Sequence, residues 1–380
     1  MTNISLLSVP KGVCLILLAV LVGCGPKDGN REFEQGKQAY EVRDLVKAAR
    51  LFEESLKCAP HDVDRILLLA RVKLDLGELA EAQDLMKRAA LDSDGDADVR
   101  MLTAQLAWHA KDYKSAAEGF SSLANDMKLE AAIRAQAWAG LGVVEMSCDN
   151  CHQARVAFLR AIRLDRRNAA AWYHLGLLYR DEFGYLEAAL EQFEIFARLE
   201  EMASPRVQKV QRAVIPALKD TMAHAISERP GAAKRNSALC STTLAKAEAE
   251  WKKGQYGNAR QSYQAALTAD LLSYPAAVGL ARAWEVTDRT SAGQAKAFEN
   301  YKLACTLKPS AVSTFVTAGN LAARLGYHSQ AVEILSRAVA ASPTSFDALD
   351  GLIRSLRKVN KPQDARAYQQ YRESIPTRRK

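Results

Sequence analysis

The sequence predicts an all-α protein, a solenoid of about nine stacked helix pairs in two blocks, and three observations predict it. Alanine is abundant while glycine (20) and proline (11) are few among 380 residues, a balance that favours helix because alanine loses no side-chain entropy there. Matching residues recur at a period of 34, the mark of a repeated helix–turn–helix unit. Small and aromatic residues keep fixed places within that period, so each unit repeats one packing solution.

In chain order, residues 1–23 read as a secretory leader. Lys11 precedes an apolar run at 13–22, about ten residues where a bilayer needs about twenty. The run ends in Leu21-Val22-Gly23-Cys24, which resembles the lipobox of bacterial lipoproteins. That resemblance implies a diacylglycerol, palmitate-type anchor on the Cys24 thiol and a signal peptide cleaved just before it. It places the protein on a membrane of the bacterial cell envelope. Gly25, standing where some enteric lipoproteins have aspartate, implies the outer membrane, facing the periplasm. Residues 24–30 then form a short flexible tether.

Residues 31–200 hold about five units. The clearest, 135–168, sets Trp138, Leu141 and Gly142 on one helix and Ala154, Phe158 and Ala161 on the next. Gly142 and Ala154 let two antiparallel helices approach closely, while Trp138 and Phe158 fill the space above and below. The unit from 169 repeats Trp172, Leu175, Gly176 and Tyr179, then Gly184, Ala189 and Phe193 after an insertion in the turn. Earlier copies keep Ala48, Phe52 and Pro60, then Gly77 and Ala82, then Ala116 and Phe120. Residues 201–239 fit no unit. They show helical periodicity through Val207, Val210, Val214, Leu218 and Met222, a kink expected at Pro216, and a breaker at 227–231 that opens a linker.

Residues 240–380 hold about four units. Ala247, Gly254, Ala259, Tyr263 and Ala266 mark the first; Leu280, Trp284, Ala297, Tyr301 and Ala304 mark the second, which has a longer turn. Gly319, Gly326, Ala331, Ala338 and Pro343 mark the third. The last keeps Leu349, Leu352 and Ala365 but places Gln369 and Arg372 at later apolar positions. A polar outer face of that kind suits a capping repeat.

These spacings resemble the tetratricopeptide repeat family. The resemblance implies a right-handed superhelical solenoid whose first helices line a concave groove. It also implies a non-enzymatic scaffold or adaptor that binds protein and takes no small-molecule substrate. It extends to lipoproteins serving outer-membrane barrel assembly, type IV pilus assembly and polysaccharide secretion. By family position the groove-facing residues are Arg71, Gln105, Trp108, Tyr173, Arg180, Trp251, Arg282, Asn320 and Arg324. The lysine and asparagine set with which chaperone-binding members clamp a C-terminal carboxylate is absent as a set, Asn320 standing alone. The expected occupant is therefore an extended peptide, a helix or a partner domain.

The net charge of +8 is modest and spread along the chain, densest at 378–380 and at Arg163, Arg166 and Arg167. A nucleic-acid binder would carry a longer basic stripe with interleaved aromatics. His61, His109, His152, His174, His224 and His328 are scattered, and no HExxH, GxSxG or phosphate-loop pattern occurs. Glu187, Glu191 and Glu194 read as a solvated helix face. No enzyme, metal site or cofactor is expected, with one exception.

Cys148-Asp149-Asn150-Cys151-His152 matches the CxxCH signature of c-type haem attachment. A haem-bearing redox lipoprotein is therefore the alternative reading. The same thiols could close a local disulfide in an oxidising envelope, stay reduced, or join a zinc site completed from elsewhere. Cys58, Cys240 and Cys305 read as small packing residues.

Overall fold

The computed structural model describes residues 28–93, 95–200, 204–227 and 235–376. Cys24 and the basic cluster at 378–380 lie outside the described residues, as does most of the expected linker after residue 227. Every regular element among them is helical, and none is long and apolar enough to cross a membrane. The chain divides after His174 into two compact units, each described by itself.

The first unit packs α1 (Asn30–Glu41) on α2 (Leu45–Cys58) and α3 (Val63–Leu76) on α4 (Leu79–Asp92). It continues with α5 (Ala97–His109) on α6 (Tyr113–Asn125) and α7 (Ala131–Ser147) on α8 (Cys151–Leu164), each pair packing on the next. The division falls within α9 (Ala169–Asp181). The second unit holds α10 (Leu186–Leu199), α11 (Pro205–Lys209) and α12 (Ile215–Ser227). After them α13 (Ser237–Lys252) packs on α14 (Tyr256–Ala269), and α15 (Tyr274–Thr287) on α16 (Ser291–Leu307). Last come α17 (Val312–Arg324) on α18 (His328–Ala341) and α19 (Phe346–Lys358) on α20 (Pro362–Ser374).

The packing code is visible residue by residue. Ala48, Ala82, Ala116, Ala154, Ala189, Ala259, Ala297, Ala331 and Ala365 occupy the same place in their second helices, and all are fully buried. Four residues further on, Phe52, Phe120, Phe158, Phe193, Tyr263 and Tyr301 are buried rings. Glycines of the first helices seat several of them. A Cβ added at Gly142 would lie 2.5 Å from the Phe158 ring, and one at Gly176 would lie 2.9 Å from Phe193. Trp138 is buried as expected, with the Arg160 guanidinium 4.4 Å over its ring.

Turns repeat as well. Arg43, Gly77, Lys111, Asp149, Gly184, Gly254, Gly326 and Asn360 take left-handed backbone just after a first helix, the conformation that lets a helix end and reverse. The α15–α16 turn is the exception and is where the sequence is longer. There Asp288 Oδ1 accepts from the Thr290 N–H (3.0 Å) and hydroxyl (2.6 Å), and the Thr290 hydroxyl accepts from the Gly293 N–H (3.2 Å), which caps α16.

Three local expectations are refined. The distortion predicted at Pro216 sits just upstream, as a π-helical stretch at Val210–Val214 between α11 and α12. Pro216 has no N–H to donate to the carbonyl four residues back and its ring crowds that carbonyl; a wider turn accommodates both. In the last repeat the positions beside Gln369 and Arg372 are not polar, because Tyr368 and Tyr371 are buried. Gln369 instead accepts from Arg357 at 2.5 Å, and Arg372 pairs with Asp350 of α19.

The third concerns the end of the expected tether, whose residues 28–30 are held by the fold. Arg65, 5% exposed, donates to the Asp28 carbonyl (2.9 Å), the Ser55 carbonyl (2.9 Å) and Asn30 Oδ1 (2.6 Å). The Ser55 hydroxyl donates to the Gly29 carbonyl at 2.8 Å. Gly29 has φ 70°, and a Cβ there would lie 2.7 Å from the Arg65 guanidinium, so only glycine lets the chain lie this close.

Candidate partner groove

Residues three and four apart share a helix face. Tyr274, Val278, Arg282 and Glu285 form such a stripe on α15, and Ser313, Thr317, Asn320 and Arg324 form another on α17. With Trp251 of α13, the α15 stripe and Ser313 and Thr317 of α17 bound an open cleft of ≈ 460 Å³. Three successive first helices of the second unit thus present one continuous surface.

Its polar groups are tied in place. The Tyr274 and Thr314 hydroxyls are 2.7 Å apart, linking α15 to α17. Glu285 accepts from the buried Tyr301 hydroxyl at 2.8 Å and from Arg324 Nη2 at 2.9 Å. Burial first, then the Glu285 carboxylate, pushes the Tyr301 phenol far above its ordinary value, which keeps it a neutral donor. The preceding repeat does the same: Tyr263, raised by burial and then by Glu248, donates to Glu248 Oε1 at 2.8 Å. In both repeats where the packing ring is tyrosine, a carboxylate on the first helix receives its hydroxyl. The Arg282 guanidinium lies 4.8 Å from the centre of the Trp251 ring, a cation–π contact.

Of the residues expected to face a groove, Trp251 and Arg282 line this cleft. Arg324 reaches it through Glu285, and Asn320 Oδ1 accepts from Arg354 Nη2 at 3.4 Å. Arg180 is not among the lining residues; it chelates Asp181 at 2.6 and 2.8 Å and lies over Phe193. In the first unit Trp108 Nε1 donates to Ser147 Oγ at 2.9 Å, bridging α5 to α7. Gln105 is half-buried on the same helix. Tyr173 meets His174 edge-on at 5.2 Å.

Arg71 acts on Tyr40, which donates to Asp75 at 2.9 Å. Burial first, then Asp75, raises Tyr40 to about 12, and the Arg71 charge opposes that rise. Sequence reasoning missed Tyr274, Glu285 and Thr314, although the 274–278–282–285 spacing signals a shared face. It also missed Lys73, whose ammonium meets Glu53, Glu78 and Glu81 at 2.8–2.9 Å. Burial opposes its charge, yet the three carboxylates outweigh burial and raise its pKa. Lys73 thereby fastens α3 to α2 and to the start of α4.

The CxxCH motif forms the α7–α8 turn. Cys148 caps α7 and is exposed, while Cys151 opens α8 and is half-buried. Asn150 donates to Glu145 at 2.9 Å across the turn. Burial, then the Glu145 and Asp149 charges, raises the Cys148 thiol above its ordinary value, which lowers its thiolate fraction and reactivity. Among the described residues no group of three or more histidine, cysteine, aspartate or glutamate side chains is arranged to hold a metal ion.

Buried alanines at one repeating position, glycine-seated rings and left-handed turns define a helical-repeat protein, with an open cleft across first helices of its second unit. Residues 39–106 match the family model for the tetratricopeptide repeat. Over those residues the chain is similar to that family. No curated protein matches it. Similar solved structures include a MamA protein, 19% identical over 49% of this chain and 96% of that one, with TM-score 0.34. Another is pilF of Pseudomonas aeruginosa, 18% identical over 53% and 94%, with TM-score 0.40. A third is the Cut9–Hcn1 hetero-tetramer of the APC/C, 16% identical over 91% and 78%, with TM-score 0.36.

Proposed function

We propose that this protein is a non-enzymatic scaffold or adaptor lipoprotein of the bacterial cell envelope, anchored through Cys24 to the outer membrane and facing the periplasm. Its second unit holds a segment of a partner protein in the cleft bounded by α13, α15 and α17. The observation that carries the binding half is the cleft itself, where Trp251, Tyr274 and Val278 offer apolar surface beside fixed polar groups. The lipobox supports the anchor. A single acyl chain binds membranes only marginally, so the mature N-terminus carries more than one.

A photo-crosslinking residue in place of exposed Thr317, within the cleft, tests the groove in intact membranes, with exposed Gln264 on α14 as the control position. Crosslinking from 317 and not from 264 is expected; the reverse pattern would move the binding face to the second helices. Cys24→Ser is expected to abolish incorporation of labelled fatty acid. Retained label in that variant would remove the anchor from the proposal.

A further inference from the structure

The α9–α10 turn, where the sequence carries its inserted residue, is an aromatic knot. Tyr179, Phe183 and Tyr185 cluster there with ring centres 5.2–6.3 Å apart, and the Tyr185 N–H donates back to the Tyr179 carbonyl at 2.8 Å. The turn does not end in solvent. Tyr185 is buried, and its hydroxyl donates to the Glu333 carbonyl of α18 at 3.4 Å, across 148 residues of chain. The Arg337 guanidinium, paired with Glu333 at 3.5 Å, lies 5.3 Å from the centre of the Tyr185 ring. The seam between these segments is loosely filled. A pocket of ≈ 290 Å³ runs along it, with Tyr185 and Ala188 on one side and Pro309, Phe315, Arg337 and Ala340 on the other. Packed interiors leave few voids larger than a water molecule, so this seam is a contact that can part. Helix α17 belongs to both the seam and the cleft. Phe315 lines the seam, while Ser313, Thr314 and Thr317 line the cleft.

We infer that the α9–α10 turn is a clasp that closes the second unit onto α17 and α18, opens without unfolding either side, and when closed favours occupation of the cleft. The last part rests on the groove reading above. With the clasp closed, the Tyr185 side of the seam backs Phe315 and the start of α17, the wall that carries Ser313, Thr314 and Thr317. With it open, that wall loses its backing, and a helix end with fewer tertiary contacts opens more often. An occupant of the cleft therefore binds the closed state better. By linkage it tightens the clasp by the same factor.

Three measurements on the full-length protein test this. First, a photo-crosslinking residue in place of exposed Ala341 is expected to join to residues 184–191, and one in place of exposed Glu187 to join to α17 or α18. Tyr185→Ala should lower both yields about fivefold. Absence of both links, or yields unchanged in the variant, would overturn the clasp. Second, amides at 312–317 should exchange about tenfold faster in Tyr185→Ala while those of α13 and α14 stay unchanged. Arg337→Gln, which leaves the aromatic cluster of the turn intact, should act in the same direction. Exchange at 312–317 unchanged in both variants, or raised equally in α13 and α14, would overturn the coupling through α17. Third, Tyr185→Ala should reduce partner crosslinking from position 317 in intact membranes. Equal crosslinking with and without Tyr185 would overturn the link between clasp and cleft. No crosslinking from 317 in the otherwise wild-type protein would remove the groove reading and that link with it, while the clasp stands or falls on the first measurement.

Discussion

Gly142 shows how one residue sets the distance between two helices. Its missing side chain is filled by Phe158, which is fully buried. Gly142→Ala is expected to destabilise by about 1–3 kcal/mol through overpacking, and Phe158→Ala by about 3–5 kcal/mol through the cavity it leaves. The two changes should couple in a double-mutant cycle read by urea unfolding, because both report one contact; additive losses would mean that the register is wrong. Tyr40 gives a pH prediction. Its folded value is raised to about 12 by burial and then Asp75, so the folded state holds the phenolic proton more tightly than the unfolded chain. That stabilisation is complete below about pH 10 and is lost as pH rises from about 10 to 12. Melting temperature should therefore fall across that window more steeply in the wild type than in Tyr40→Phe. Residues of this kind differ in legibility. The buried alanines could be read directly, since their spacing is local. Tyr301 with Glu285 and Lys73 with its three carboxylates could not, because each joins separate helices whose facing sides only the fold decides.

At the scale of the element, most turns use a left-handed residue and one does not. In the α15–α16 turn Thr290 caps α16 while its hydroxyl also donates to Asp288. Thr290→Ala should cost about 1 kcal/mol, within the usual range for a lost cap, and should raise amide exchange at the start of α16 first. Uniform exchange along that helix would contradict the cap. The longer turn was visible in the sequence, but its chemistry was not, because Asp and Thr serve many turn types. Proline 216 was equally visible, and its effect moved upstream into Val210–Val214 because the carbonyl it cannot serve lies four residues back. In the α7–α8 turn, Cys148 carries a thiol whose pKa is raised by burial and two nearby carboxylates. At neutral pH iodoacetamide should modify it more slowly than an unperturbed thiol such as free cysteine. Faster modification would mean a positive neighbour that this turn does not show.

At the scale of the molecule, the period alone announced a stack of helix pairs, because each pair needs a neighbour to cover its apolar face. The division after His174 was not announced, since α9 reads as ordinary repeat helix on both sides of it. Within the first unit the opening pair is a weak point, since no pair precedes it among the described residues. The N-terminal end escapes part of that weakness. Arg65 belongs to the second pair, yet it grips residues 28–30 ahead of the first, so the opening helix is tied at its start as well as along its side. Arg65→Ala should free it, and α1 should then exchange its amides by local opening and not with the rest of the first unit. If the chain is anchored just ahead of residue 28, any pull from the membrane arrives at this same knot. The load then passes into the second pair at once, and the stack resists being unzipped one repeat at a time from its tethered end.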